Sequence, residues 1–259
     1  MGVGAMTARA AAVRAGSVHE QLKVKLFADG ADLARMIELS ANPRIQGFTT
    51  NPTLMRKAGV RHYREFAREV LAAIPDRPVS FEVLSDEMDE MERQARAIAA
   101  WGSTAVVKVP VTNTRGQSTY DLVHRLSHDG VRINVTAILS VEQIERAVLA
   151  LRGGAPANIS VFAGRIADTG RNPVPVIAGA VAMVAAMPGV EIIWASPREL
   201  LNVFQADSAG CHIITVTSDI LAKLDLIGRD LGDLSLDTVR MFRADAVAAG
   251  FTLSESEPV

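Results

Sequence analysis

Ala105-Val106-Val107-Lys108-Val109-Pro110 is a short β-branched run with one ionisable residue inside it and a proline at its end. A run of this length closed by a helix breaker reads as a strand. Apolar residues on both sides of the lysine read as a strand covered on both faces, as in a parallel sheet. Similar runs lie on either side. Upstream are Lys25-Leu26-Phe27-Ala28-Asp29, Gly47-Phe48-Thr49-Thr50 and Val79-Ser80-Phe81-Glu82-Val83. Downstream are Ile133 to Leu139, Ile159-Ser160-Val161-Phe162, Glu191-Ile192-Ile193-Trp194-Ala195 and His212-Ile213-Ile214-Thr215-Val216. Together they make about eight candidate strands, the number a closed parallel barrel requires.

Helical segments fill the gaps. Tyr63, Phe66, Val70 and Ile74 share one helical face, and so do Met88, Met91, Ala95 and Ile98. Ser140 and Gln143 have capping-box spacing and open a helix that buries Ile144, Ala147, Val148 and Leu151 before Gly153 and Gly154 stop it. This alternation predicts an α/β chain with one (β/α)8 barrel over residues 21–259. The barrel includes a further C-terminal helix, Leu236 to Ala248, that turns Leu236, Val239, Phe242 and Ala246 inward across the outside or one end. A doubly wound open sheet would alternate too, but no GxGxxG or P-loop follows an early strand.

The 259 residues suit one large domain, and 49% hydrophobic residues can fill a sizeable core. A net charge of −2 removes any general electrostatic attraction to nucleic acid or to an anionic membrane. Cys211 is the only cysteine, which forbids an internal disulfide and points to an intracellular, cytoplasmic protein. Val174 to Met187, about 14 residues, is too short to span a bilayer and suits a buried helix. Residues 1–20 open with an Ala- and Arg-rich stretch and read as a flexible or helical extension more readily than as a transit peptide. A homo-oligomer is compatible with the sequence, although no apolar stripe stands clear of ordinary helix packing.

Polar residues interrupt the strands in a consistent place. Asp29, Asn51, Glu82, Lys108, Asn134, Thr136, Ser160 and Ser196 all fall toward strand C-terminal ends, which in a barrel converge on the face where active sites are built. Lys108 is the sharpest case. Burial disfavours an ammonium and favours the free amine that attacks a carbonyl; the alternative is a lysine that reaches the rim or pairs with Glu82. Asp29 and Glu82 supply two carboxylates for proton transfer; equally, Asp29 could cap the next helix. Ser196-Pro197-Arg198-Glu199 has capping-box spacing, and its place after the seventh strand also suits phosphate binding, with Arg165 and Arg198 as bidentate donors. The histidines have no metal-ligand spacing, so no metal and no cofactor is expected.

Several of these segments resemble the transaldolase family in order along the chain. Gly47-Phe48-Thr49-Thr50-Asn51-Pro52-Thr53-Leu54 resembles its TTNP signature, and Val106 to Thr112 is similar to the strand bearing its Schiff-base lysine. Asn134 to Ser140 resembles the next strand, Ser160 to Ile166 the SPFVGR-like segment, and Ala195-Ser196-Pro197-Arg198 the ASFR segment. The resemblance implies a class I aldolase-like barrel acting on a sugar phosphate. It implies that Lys108 forms the imine, that Asp29 is the base for carbon–carbon cleavage, and that Glu82 and Thr136 hold a proton-shuttling water. Asn51, Asn134 and Ser160 would bind the three-carbon donor, and Arg165, Ser196 and Arg198 the phosphate. The related fructose-6-phosphate aldolases have tyrosine in place of Phe162 and glutamine in place of Glu82, so both residues imply transfer of the fragment rather than its release. The alternatives are such a lyase, or a silent sugar-phosphate-binding barrel. Val161 replaces a proline and Pro197 an aromatic residue of the family's pattern. Both are expected to border the phosphate pocket, where a modified sugar phosphate or a ketose with another anionic group stays compatible with the two arginines beside the ordinary pentose-phosphate pair.

Overall fold

The computed structural model describes residues 22–253, so the expected N-terminal extension lies outside the described residues. They divide into two compact units, Leu22–Lys223 and the segment from Leu224 onward.

The first unit is built on eight parallel strands: β1 (Lys25–Asp29), β2 (Ile45–Thr49), β3 (Val79–Glu82), β4 (Ala105–Pro110), β5 (Ile133–Ile138), β6 (Ala157–Val161), β7 (Val190–Trp194) and β8 (Ile213–Thr217). They follow one another in chain order around a closed barrel, with β8 pairing back onto β1. The strands are short and β-branched because both faces are covered: Val107, Val109, Ile133, Val135, Ile159 and Ile193 are all fully buried. The expected (β/α)8 architecture is therefore what forms.

The intervening helices carry the expected faces. The helix Tyr63–Ala73 buries Phe66, Ala67, Val70 and Leu71, and Met88–Ala99 buries Met91, Ala95 and Ile98. Ser140 and Gln143 close a reciprocal capping box at the start of Val141–Leu151. The apolar segment after Asn172 forms a helix, Val174–Val184, that buries only Ile177, Ala180 and Val184, so it covers the barrel from one side instead of being buried all round. No helix among the described residues is long and apolar enough to cross a membrane.

The second unit holds a 3-10 turn, Leu224–Leu226, and the long helix Leu231–Ala248. Asp230 caps this helix by accepting hydrogen bonds from the backbone N–H groups of Gly232 and Asp233. The expected inward face is not formed. Leu236, Val239 and Phe242 are exposed, Ala246 is half-buried, and no residue of the helix is buried. Helical periodicity identifies an apolar stripe, but it does not say what, if anything, covers it.

Candidate active site

The C-terminal ends of the strands surround a cavity of about 580 Å³. Lys108, from β4, is 6% exposed, so it neither snorkels to the rim nor faces bulk water. Its Nζ donates to the carbonyl oxygen of Thr50 at 2.9 Å and stands 3.4 Å from Glu82 Oε2. The proximity of lysine and glutamate is dictated by the sheet: Glu82 and Lys108 are register partners on β3 and β4, and paired residues project to the same face.

Asp29 enters from β1, where Thr49 on β2 is its register partner. The Thr49 hydroxyl donates to Asp29 Oδ1 at 2.8 Å. Burial pushes the Asp29 carboxyl above the usual carboxylate range; Lys108 and the Thr49 hydrogen bond pull it back down, and Glu82 pushes it up. The capping alternative for Asp29 falls away, because Asp32 caps the following helix, Leu33–Ser40.

Thr136 is buried in the wall of the same cavity, and its hydroxyl has no hydrogen-bond partner among the described residues. Buried polar groups in folded proteins are almost always paired, so an orphan hydroxyl on a residue of the cavity wall sets Thr136 apart. Asn51 lines the cavity and also caps the short helix Pro52–Lys57, its Oδ1 accepting from the N–H of Leu54 at 3.0 Å. Ser160 lines the cavity too, and its hydroxyl donates to Asn134 Oδ1 at 2.8 Å. Asn134 itself does not reach the cavity surface. It is fully buried behind Ser160, with its amide nitrogen 3.3 Å from Ser80 Oγ, so the structure gives it a supporting place.

The opposite lobe follows β6 and β7. Phe162, Arg165, Ser196 and Arg198 all line it, and the Arg165 guanidinium lies 5.4 Å from the centre of the Phe162 ring. Arg198 is already engaged: Nε and Nη2 donate to the two carboxylate oxygens of Asp168 at 3.0 and 2.5 Å. This ion pair holds the Asp168 carboxyl below its usual range. The capping box at Ser196 is not formed. The helix begins at Leu201, and Ser196 takes a left-handed backbone with φ 60°. Asn202 instead reaches back, its Oδ1 accepting from the N–H groups of Arg198 at 2.7 Å and Glu199 at 3.3 Å. Pro197 and an N-terminal-type spacing made a helix start look complete, but the chain needs four more residues to turn. Two backbone donors that could have met an anion are thus occupied.

Sequence reading missed several participants. Thr49 and Thr215 line the cavity and bond to one another; each is a hydroxyl within a mostly apolar strand, and that interruption was the available signal. Ala137 and Lys57 also line it. Ala137 holds φ 63° at a register irregularity in β5, which no residue preference for alanine announces. Among the described residues no cluster of three His, Cys, Asp or Glu side chains is arranged to hold a metal ion.

A buried amine, two carboxylates, an unpaired hydroxyl and two guanidinium groups around one cavity can support carbonyl chemistry on an anionic substrate. The family model described as Transaldolase/Fructose-6-phosphate aldolase matches residues 26–253, nearly the whole of the described chain. The chain belongs to this family. "Probable transaldolase 2" of Listeria monocytogenes is 36% identical over 203 residues, covering 78% of this chain and 88% of the relative. "Probable transaldolase" of Thermoanaerobacter sp. is 34% identical over 231 residues, covering 89% of this chain and all of the relative. Among solved structures, a HpcH/HpaI aldolase/citrate lyase family protein from Burkholderia cenocepacia superposes with a TM-score of 0.55 at 14% identity, covering 84% of this chain and 95% of that one. A mandelate oxidase with benzoyl-formic acid gives 0.52 at 17% identity, covering 81% and 72%. At such identities the likeness is one of fold alone.

Within this transaldolase/aldolase framework, the two departures from the family pattern sit behind the cavity wall. Val161 and Pro197 are buried and neither lines the cavity, contrary to the expectation that both border it. Their neighbours Ser160, Phe162, Ser196 and Arg198 form the surface instead. Alternation along β6 puts Val161 on the face opposite Ser160, so a substitution beside a site residue need not face the site; Pro197 lies in the loop beyond β7.

Proposed function

We propose that this chain is a transaldolase that works through an imine on Lys108. The observation that carries the reading is the seating of that lysine, buried at 3.4 Å from Glu82 in a cavity that Asp29, Thr136, Arg165 and Arg198 also line. The free amine of Lys108 attacks the ketone carbon of a ketose phosphate, and the carbinolamine loses water to give a protonated imine. Glu82 and the unpaired Thr136 hydroxyl hold the water that carries protons in that step. Asp29 removes the proton of the hydroxyl on the carbon β to the imine carbon. The adjacent carbon–carbon bond breaks, its electron pair enters the imine to form an enamine, and an aldose phosphate leaves. The enamine then attacks an acceptor aldehyde, Asp29 returns the proton to the new hydroxyl, and hydrolysis frees Lys108. Arg165, Ser196 and Arg198 serve the phosphate.

Two side chains favour transfer over release. Phe162 has no hydroxyl to orient water toward the enamine, and Glu82 is a carboxylate where the lyase pattern has an amide. The test is incubation with fructose 6-phosphate and borohydride, followed by peptide mass spectrometry. A dihydroxyacetone unit on Lys108 is expected; an unmodified Lys108 peptide across a panel of ketose phosphates removes the reading. Free dihydroxyacetone formed without an acceptor would assign the lyase activity instead.

A further inference from the structure

Among the described residues, the Asp29 side chain has no backbone donor and no ion pair at hydrogen-bond distance. Its one side-chain donor among the described residues is Thr49, at 2.8 Å to Oδ1. Thr49 is itself held: its Oγ1 lies 2.5 Å from the Oγ1 of Thr215 on β8. The three residues come from the adjoining strands β8, β1 and β2, and both threonines are buried. A hydroxyl has one proton. When Asp29 is ionised it cannot donate, so the Thr49 proton goes to Oδ1 and the Thr215 proton must go to Thr49. The direction of the chain is therefore fixed by the charge state of Asp29. When Asp29 takes up a proton, both hydroxyls are free to turn the other way. Oδ2 has no donor among the described residues, and Asp29 lines the cavity.

We propose that Thr215 and Thr49 form a hydroxyl relay that anchors Oδ1 of Asp29 and leaves Oδ2 as the oxygen that takes and returns the substrate proton. Both threonines are then positioning residues, and this assignment rests on the transaldolase reading for the step Asp29 performs. A donor already bonded as an acceptor is a stronger donor, so Thr215 strengthens the grip of Thr49 on the carboxylate. The hydrogen bond favours the ionised form of a group whose burial opposes it. The other charges facing Asp29 are Lys108 on β4 and Glu82 on β3. Asp32 and Arg35, Lys57 and Asp219 line the neighbouring hollow that Asp29 also borders. None of these changes when a threonine hydroxyl is removed.

The variants are Thr49→Val, which removes the hydroxyl, Thr49→Ser, which keeps it, and Thr215→Val, which removes only the outer link. Three measurements are made on the whole enzyme. A carbon-13 titration of the Asp29 carboxyl reads the anchor without any substrate. It should show Asp29 ionising at higher pH in Thr49→Val, to a smaller extent in Thr215→Val, and as in the parent with Thr49→Ser. The pH profile of kcat/KM with fructose 6-phosphate and an acceptor aldehyde should lose most on its acid limb in Thr49→Val, by about tenfold for one hydrogen bond to a charged group. Serine should restore that limb. Borohydride trapping on Lys108 should persist in every variant, because imine formation precedes the step of Asp29. An unmoved Asp29 titration in both valine variants overturns the relay whatever the enzyme's activity. Loss of Lys108 trapping in the parent protein overturns the transaldolase reading and leaves the titration to judge the anchor alone.

Discussion

The side chains of Glu82 and Lys108 come from register partners on adjacent parallel strands and stand 3.4 Å apart in a wall that nearly closes over the lysine. Glu82→Gln removes the counter-charge and the proton carrier together. Turnover should fall by about 10²-fold or more, the usual scale of a positioned acid–base group, and the melting temperature should drop because a buried charge loses its partner. Glu82→Gln protein that forms the trapped Lys108 adduct at the parental rate would take Glu82 out of imine formation.

Asp29 points to a trade between stability and activity. Its carboxyl ionises at higher pH in the folded chain than in the unfolded one, mainly through burial. The folded state therefore holds the extra proton between the two values, and stability contributed by this group declines as pH rises through that window. At pH values above that window the group is a net burden. Asp29→Asn should abolish transfer and yet raise the melting temperature at pH 7, with the gain shrinking at acid pH. Differential scanning calorimetry at several pH values measures it; a lower melting temperature at pH 7 would show that the attraction of Lys108 outweighs burial.

Gly164 permits the crossing of two segments. A Cβ built there falls 1.6 Å from the carbonyl oxygen of Ser196, a backbone atom that cannot swing away. Gly164→Ala should cost about 1–3 kcal/mol through overpacking. It should also weaken inhibition by inorganic phosphate more than it lowers Lys108 trapping, because Ser196 and Arg198 move first. Denaturant unfolding and phosphate inhibition curves test the two parts separately.

Asp168 lowers the positive charge of the lobe that follows β6 and β7. With both of its oxygens on Arg198, it offsets a guanidinium that lines the cavity. Asp168→Asn should make inorganic phosphate a stronger inhibitor by about twofold to fivefold, an effect that fades as salt is added. Weaker inhibition would mean that Asp168 chiefly orients Arg198.

Cys211 should resist alkylation. Burial pushes its thiol up to about 12, so almost no thiolate exists at pH 8. Labelling by iodoacetamide should follow the rate of global unfolding; rapid labelling of native protein would contradict this burial.

The barrel was legible because strands covered on both faces advertise themselves as apolar β-branched runs, and because eight of them alternate with amphipathic helices. Lys108, Asp29 and Glu82 were legible as ionisable groups where that pattern forbids them. Thr49 and Thr215 were passed over because threonine is at home in strands, so its hydroxyl raises no alarm until a carboxylate is found beside it. The start of the helix after β7 was misread for the opposite reason: local signals at Ser196 and Pro197 were strong, and the tertiary demand for a left-handed turn against Gly164 overrode them. Asn134 shows a third limit. A polar residue at the right end of the right strand can face its neighbour's side chain rather than the cavity.

A ring of eight strands has no first or last member. Every strand is hydrogen-bonded on both sides, so the sheet offers no free margin on which another polypeptide could lay down an extra strand. The segment from Ser196 to Leu200 sits outside that cylinder, at its rim. Side-chain changes there leave every strand-to-strand hydrogen bond of the cylinder in place.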